Sequence, residues 1–243
     1  MNQTTILFST PMIRALLAGT KTQTRRVLKQ ANGPSLSVRM DDEAPGVAEL
    51  SWLWGDGPGY DVNEAIKRVS CPYGQPGDRL RVKEAAWMWC ERQPNGTTKT
   101  GRQKWLYAPM RGAGIWYAAD HRTKPTINVV SPDTGNRWGW RLKIGRFLPL
   151  WASRILLEVT AVRVERLQEI IETDAIAEGT YSYATQLAED PAVSAADIED
   201  LIGKYGEGRV RCLYAALWES INGPGSWDAN PWVWVVEFRR VTP

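Results

Sequence analysis

The chain has 243 residues, 43% apolar and 23% charged, which is ordinary for a globular protein and excludes a disordered or fibrous one. Thirty Lys and Arg stand against 27 Asp and Glu, so the net charge of +3 does not announce a nucleic-acid binder, and any basic footprint must be local. One histidine, His121, excludes His₂ and His₃ metal sites, and no stretch approaches the ~20 apolar residues of a membrane helix.

In chain order, Ile6-Leu7-Phe8 predicts a short buried strand. Ser9 or Thr10 caps a helix that Pro11 begins; Met12, Ile13, Ala15, Leu16 and Leu17 give its apolar face, and Gly19 stops it. The turn Lys21–Arg26 follows, with Arg26-Val27-Leu28 leading into a strand. Residues 30–65 are rich in Gly, Pro and Asp and are expected to be an irregular insertion. Within it, Ser51–Trp54 alternates like one strand of a hairpin closed by Gly55-Asp56-Gly57, and Ile66–Cys71 is a second strand. After the turn cluster Pro72–Asp78, Arg79–Glu84 alternates as a half-buried strand does.

Residues 91–150 are expected to be a second irregular region, with strands at Trp105–Tyr107 and Ile115–Ala118. Lys104, Arg111, Arg122, Lys124, Arg137, Arg141, Lys143 and Arg146 are interleaved there with Trp105, Trp116, Trp138 and Trp140. Such a pattern fits a base-stacking surface for single strands, or a loop that its aromatics anchor to a core. Arg154–Val164, rich in β-branched residues, predicts a strand. Leu167–Ile171 is a helical turn, and Thr173 caps a short helix, Asp174–Glu178, stopped by Gly179. Residues 182–192 read as a loop, and Ser194 caps a helix running to Ile202. Arg209–Ile221 is an amphipathic helix with Val210, Leu213, Tyr214, Leu217 and Ile221 on one face. Trp232–Phe238 is apolar on both faces and so belongs in the middle of a sheet. Strands outnumber helices and most connections are too short for βαβ crossovers. The expected class is α+β: a strongly bent mixed sheet or small barrel with helices around it. Cys71, Cys90 and Cys212 have no CxxC spacing and no signal peptide ahead of them, and are expected as reduced thiols in the cytoplasm.

The stretch with most chemical content is Ala18–Arg26. Lys21, Thr24 and Arg26, at i, i+3 and i+5, suit an anionic or carbonyl-bearing ligand. Lysine loses its proton readily on burial, arginine offers a planar fork of donors, and a threonine hydroxyl becomes a nucleophile when a base activates it. A solvated basic turn is the plainer alternative.

Four pieces in sequence carry a resemblance: Gly19-x-Lys21-x-x-Thr24-x-Arg26 after a helix, Gly77-Asp78-x-Leu80-x-Val82, the strand ending Glu158-Val159-Thr160, and Val235-Val236-Glu237-Phe238. Together they resemble the ASCH family, whose domain is a small β-barrel related to the PUA RNA-binding fold. Stretches such as Leu7–Met12, Trp151–Ile155 and Ser226–Pro231 are similar to those of its larger phage and prophage members. The resemblance implies one PUA-like domain over residues 1–243, its core at 5–28, 66–90, 151–180 and 208–240, with insertions at about 30–65 and 91–150. The family commonly has Glu where this chain has Thr24. A small bacterial member, an N4-acetylcytidine amidohydrolase, has Lys-Thr-x-Thr-x-Arg there, matching Lys21, Thr22, Thr24 and Arg26. Its activity rests on the Lys, the second Thr and a Glu in the short helix after the Glu-Val-Thr strand; ungapped counting reaches Glu178.

The resemblance therefore implies Thr24 as nucleophile, Lys21 as its base and Glu178 as the group that orients Lys21 or passes a proton to the leaving amine. Arg26 or the backbone N–H groups of Gly19–Thr22 would meet the oxyanion. Arg26, Glu84, Ser9 and Thr22 are the candidate substrate-binding residues, though Ser9 also suits a helix cap and Glu84 the rim of the cleft. Trp87 or Trp89 would stack a base or fill the core. No metal and no cofactor is expected. The implied function is a metal-independent amidohydrolase that removes an N4-acyl group from a modified cytosine nucleoside or base. The alternatives are a non-catalytic PUA-like module that binds RNA or a modified base, and a nuclease. The expected partner is a modified nucleoside or single-stranded RNA and not a membrane, in the cytoplasm (that of the host, if a phage encodes the chain).

Overall fold

A computed structural model describes residues 2–31, 36–54, 63–121, 123–126, 128–130, 137–181 and 209–242. They form an α+β structure dominated by strands, in two compact units: one from 1–6, 15–81 and 155–243, the other from 7–14 and 82–154. The expected Gly55–Gly57 turn, the 182–192 loop and the 194–202 helix lie outside the described residues.

The main sheet of the first unit has the order β1-β6-β12-β13-β2, built from β1 (Gln3–Leu7), β6 (Arg79–Lys83), β12 (Leu156–Arg166), β13 (Trp232–Val241) and β2 (Gln23–Val27). β13 lies inside this sheet because Val233, Trp234, Val235 and Val236 are apolar whichever way they point, and all four are buried. β12 pairs antiparallel along it from Leu156↔Val241 to Arg166↔Trp232, and β2 pairs on its other side from Val27↔Val233 to Gln23↔Glu237. β1 and β2 are edges, so the described strands do not close into a barrel. The far edge of β2 is met by the end of a helix instead: Thr22 N–H donates to the Ala177 carbonyl at 2.8 Å, and Lys21 bridges Glu178.

That helix is α2 (Glu172–Ala177), one of three α-helices among the described residues, with α1 (Thr10–Leu17) and α3 (Arg209–Asn222). α2 begins one residue ahead of Thr173, which is inside it and does not cap it. α3 buries Leu213, Tyr214, Leu217 and Trp218, while Ile221, expected on the same face, is exposed in the last turn. Residues 36–70 are more regular than expected. β3 (Leu36–Met40), β4 (Val47–Trp54) and β5 (Asn63–Ser70) form an antiparallel meander in which Arg39, Glu49 and Arg68 stand directly across from one another as a charge ladder.

In the second unit, β7 (Ala86–Thr97) is the spine. β11 (Arg137–Lys143) pairs along one edge, and β8 (Gln103–Pro109) and β9 (Ile115–Tyr117) share the other; β10 (Asn128–Val130) adds to β11. Residues 91–150 are thus largely sheet, where an irregular insertion was expected. The alternation that makes it so is plain in β7: Ala86, Met88 and Cys90 point inward onto Leu148 and Ala152, and Trp87 and Trp89 point the other way. All three cysteines are buried thiols, and burial pushes Cys71 up to about 11.

Candidate functional site

The Lys21–Arg26 stretch is mostly strand. β2 starts at Gln23, so side chains alternate, and Gln23 and Arg25 reach towards α2 while Thr24 faces the other way. Lys21 precedes the strand and is buried at 4% exposure. Its Nζ donates at 2.8 Å to Glu178 Oε2, to the Glu178 carbonyl and to the Gln23 carbonyl. Glu178 holds this position because α2 ends on it. Its φ and ψ are still helical, and Gly179 turns the chain at φ +81°, where a Cβ would come within 2.8 Å of the Ala15 Cβ.

Around this pair lies a network that the sequence reading missed. Arg25 is 1% exposed and donates through Nη2 to Glu165 Oε2 at 2.8 Å and to Asp174 Oδ2 at 2.6 Å. Its Nη1 is 3.6 Å from Glu178 Oε1, beyond hydrogen-bond reach. Asp174 Oδ2 also accepts from Arg163 Nη2 at 2.7 Å, and Arg163 binds Glu165 and Glu237 as well. Gln23 Nε2 donates to the Asp174 carbonyl at 2.8 Å. The signal for Arg25 was period-two spacing: Lys21, Gln23 and Arg25 share one side once the stretch is a strand.

Burial lowers the pKa of Lys21 below the usual 10.5, against the charge and hydrogen bond of Glu178, which raise it. Burial pushes the Tyr214 hydroxyl well above 10, and the Glu178 charge adds to that. For Asp174, burial works upward, but the hydrogen bond and charge of Arg25 and the charge of Arg163 bring it below the ordinary Asp value.

The structure therefore brings Lys21 and Glu178 together. Lys21 Nζ donates to the carbonyl of the peptide that joins Gln23 to Thr24, while the Thr24 side chain points to the other face of the strand. The Thr24 hydroxyl is fully buried and has no hydrogen-bond partner among the described residues. The backbone N–H groups expected to meet an oxyanion are already committed: Gly19 to Leu16, Thr20 and Lys21 to Ala15, Thr22 to Ala177. Arg26 is half-buried with Nη1 on the Arg25 carbonyl, and Thr22 is exposed.

Glu84 and Ser9 belong to the second unit. Glu84 is buried and held by Arg154 through contacts of 2.9 and 3.1 Å; Arg154 also binds Asp120 and lies over Tyr117. Ser9 is exposed just before α1, where its carbonyl accepts from Ile13 N–H as a helix cap does. Trp87 and Trp89 are half-buried on the second unit's sheet. Among the described residues, no three His, Cys, Asp or Glu gather as metal ligands, and no helix is long and apolar enough to cross a membrane. No family model, curated protein or solved structure matches the chain.

Proposed function

We propose that the first unit is a PUA-like core of the ASCH type, and that the chain is a metal-independent amidohydrolase acting on N4-acylated cytosine nucleosides or bases. One observation carries the reading: a buried lysine of lowered pKa, paired with Glu178, donates to the peptide carbonyl just before Thr24, whose buried hydroxyl has no hydrogen-bond partner among the described residues. Buried polar atoms are nearly always satisfied, and a catalytic role is one explanation for an unsatisfied one. The resemblance of the turn to that of the cytidine deacetylating enzyme supplies the substrate class.

In this reading Lys21, once neutral, takes the Thr24 proton as Oγ attacks the acyl carbonyl carbon. The C–N bond breaks, N4 leaves as the amine with the proton from Lys21, and water hydrolyses the threonyl ester to the free acid. Glu178 holds Lys21 in place. Arg26 is the remaining group from the sequence reading for the oxyanion. Lys21, Thr24 and Glu178 are at most 4% exposed, so substrate reaches them only when this edge of the sheet opens.

The test is turnover of N4-acetylcytidine by the purified chain, followed by absorbance, with Thr24→Ala, Lys21→Ala and Glu178→Gln variants. Thr24→Ala and Lys21→Ala are expected to lose activity at least a hundredfold. Rate should rise with pH as Lys21 deprotonates. Glu178 is what raises the Lys21 pKa against burial, so Glu178→Gln should move that limb to lower pH. Absence of turnover, or full activity in Thr24→Ala, would remove the reading.

A further inference from the structure

The two units divide the charge unevenly. Residues 7–14 and 82–154 contain 14 Lys and Arg but four Asp and Glu, a net +10, while the rest of the chain holds 16 against 23, a net −7. Two of those four acids, Glu84 and Asp120, are bound by Arg154. In the first unit, by contrast, Arg25, Arg39, Arg68, Arg163 and Arg239 are all matched to carboxylates. A surplus of this size draws polyanions over a Debye length and concentrates them at the surface.

The surplus has an aromatic surface to act on. Beyond the buried Ala86, Met88 and Cys90, β7 and β8 continue outward as a ribbon that is half-buried to exposed. Arg92 continues the row of Ala86, Met88 and Cys90; Tyr107, across from Arg92, and Arg141, across from Met88, lie on that same face, where Tyr107 is half-buried against the Met88 cluster, and Trp105 lies beyond it at the exposed end of the ribbon. Arg92 lies 3.9 Å over the Trp105 ring, and Arg141 lies 3.9 Å over the Tyr107 ring. Arg141 otherwise donates to neutral groups, the Asn128 side chain and the Trp140 carbonyl. Trp105 is 48% exposed, so packing does not explain it. Trp105 and Tyr107 are two residues apart, which sets the two ring-and-guanidinium layers about 7 Å from each other along the strand.

We propose that the exposed end of this ribbon, where Arg92 lies over Trp105, binds single-stranded nucleic acid. Unpaired bases stack on Trp105 and the Arg92 guanidinium plane over it, and the charge surplus holds the phosphates. A duplex keeps its bases stacked on each other and offers no free ring faces to such a platform. The site shares no residue with Lys21, Thr24 and Glu178, so it stands whether or not the chain is an amidohydrolase.

The experiment uses the full chain and a fluorescein-labelled, mixed-sequence RNA of about 20 nucleotides, with the matching DNA strand and duplex. Anisotropy is read between about 50 and 300 mM NaCl. Single strands should bind more tightly than the duplex, with log Kd linear in log salt. Trp105→Ala should weaken binding about tenfold or more, and Arg92→Ala should lower the salt slope by about one. Arg39→Ala, in the first unit, should change neither. Circular dichroism checks that the variants stay folded; both altered side chains lie at the surface of the ribbon. The proposal fails if nothing binds at the lowest salt or if duplex and single strand bind alike. It fails equally if polyglutamate competes as well as polyuridylate, or if Trp105→Ala binds like the unaltered chain.

Discussion

At Thr24, burial and chemistry make opposite demands. A hydroxyl shut away from water without a partner costs about 1–3 kcal/mol, and valine has nearly the same shape without that cost. Thr24→Val should therefore raise stability by about 1 kcal/mol, read as a higher urea midpoint at unchanged m-value. If the hydroxyl is the nucleophile, the same variant will be inactive, and stability and activity will part in opposite directions. A valine variant that unfolds more readily would mean instead that the hydroxyl serves the packing of β2. Lys21 and Glu178 do not allow so clean a test. Removing either leaves the other charged, buried and short of a partner, which is strongly destabilising in itself. For that reason the functional test on Glu178 uses the isosteric glutamine and reads a pH limb rather than a loss of rate.

At the scale of elements, the end of α2 positions the site, and Gly179 permits it. At φ +81° an L side chain is strained, and its Cβ would press on Ala15 at 2.8 Å. Gly179→Ala should cost about 2–4 kcal/mol and pull Glu178 away from Lys21; denaturant unfolding gives the first, and a shifted pH limb of the proposed activity the second. A variant as stable as the parent would show that α2 can end elsewhere. This region also shows where sequence reading succeeds and where it stops. β12, β13 and α3 were legible because their own periodicity decides them: β-branched runs, a strand apolar on both faces, a helical stripe ending at Asn222-Gly223. β2 was not, since five residues with two arginines look like a turn until β13 supplies hydrogen-bond partners. A turn hides the alternation that sets Arg25 on the same side as Lys21, so the most buried arginine in the site has no role in the sequence analysis. Residues 91–150 were misjudged for a related reason: their short strands are defined by pairing to β7, and Gly, Pro and Thr between them mask it.

For the whole molecule, a net charge of +3 concealed the chemistry, because the sum averages a unit at +10 with a remainder at −7. The two parts handle charge differently. The first threads its arginines through Asp and Glu, so added salt weakens its ion pairs even as it relieves its net repulsion, and the two effects oppose each other. The second has too few carboxylates to pair its cations and stacks Arg92, Arg141 and Arg154 on rings, so the main effect of salt there is to screen like charges from one another. Raising NaCl from about 20 to 300 mM shortens the Debye length from roughly 20 Å to under 10 Å, enough to silence repulsion across a sheet of this size. Amides in the β7–β11 ladder should exchange more slowly with deuterium at the higher salt, while those of the β12–β13 ladder change little. Single-stranded RNA at low salt should protect the same β7–β11 amides, since a bound polyanion neutralises the same charges. Equal gains in both ladders would mean that salt acts on the molecule generally, and that the charge surplus does not limit the stability of the second unit.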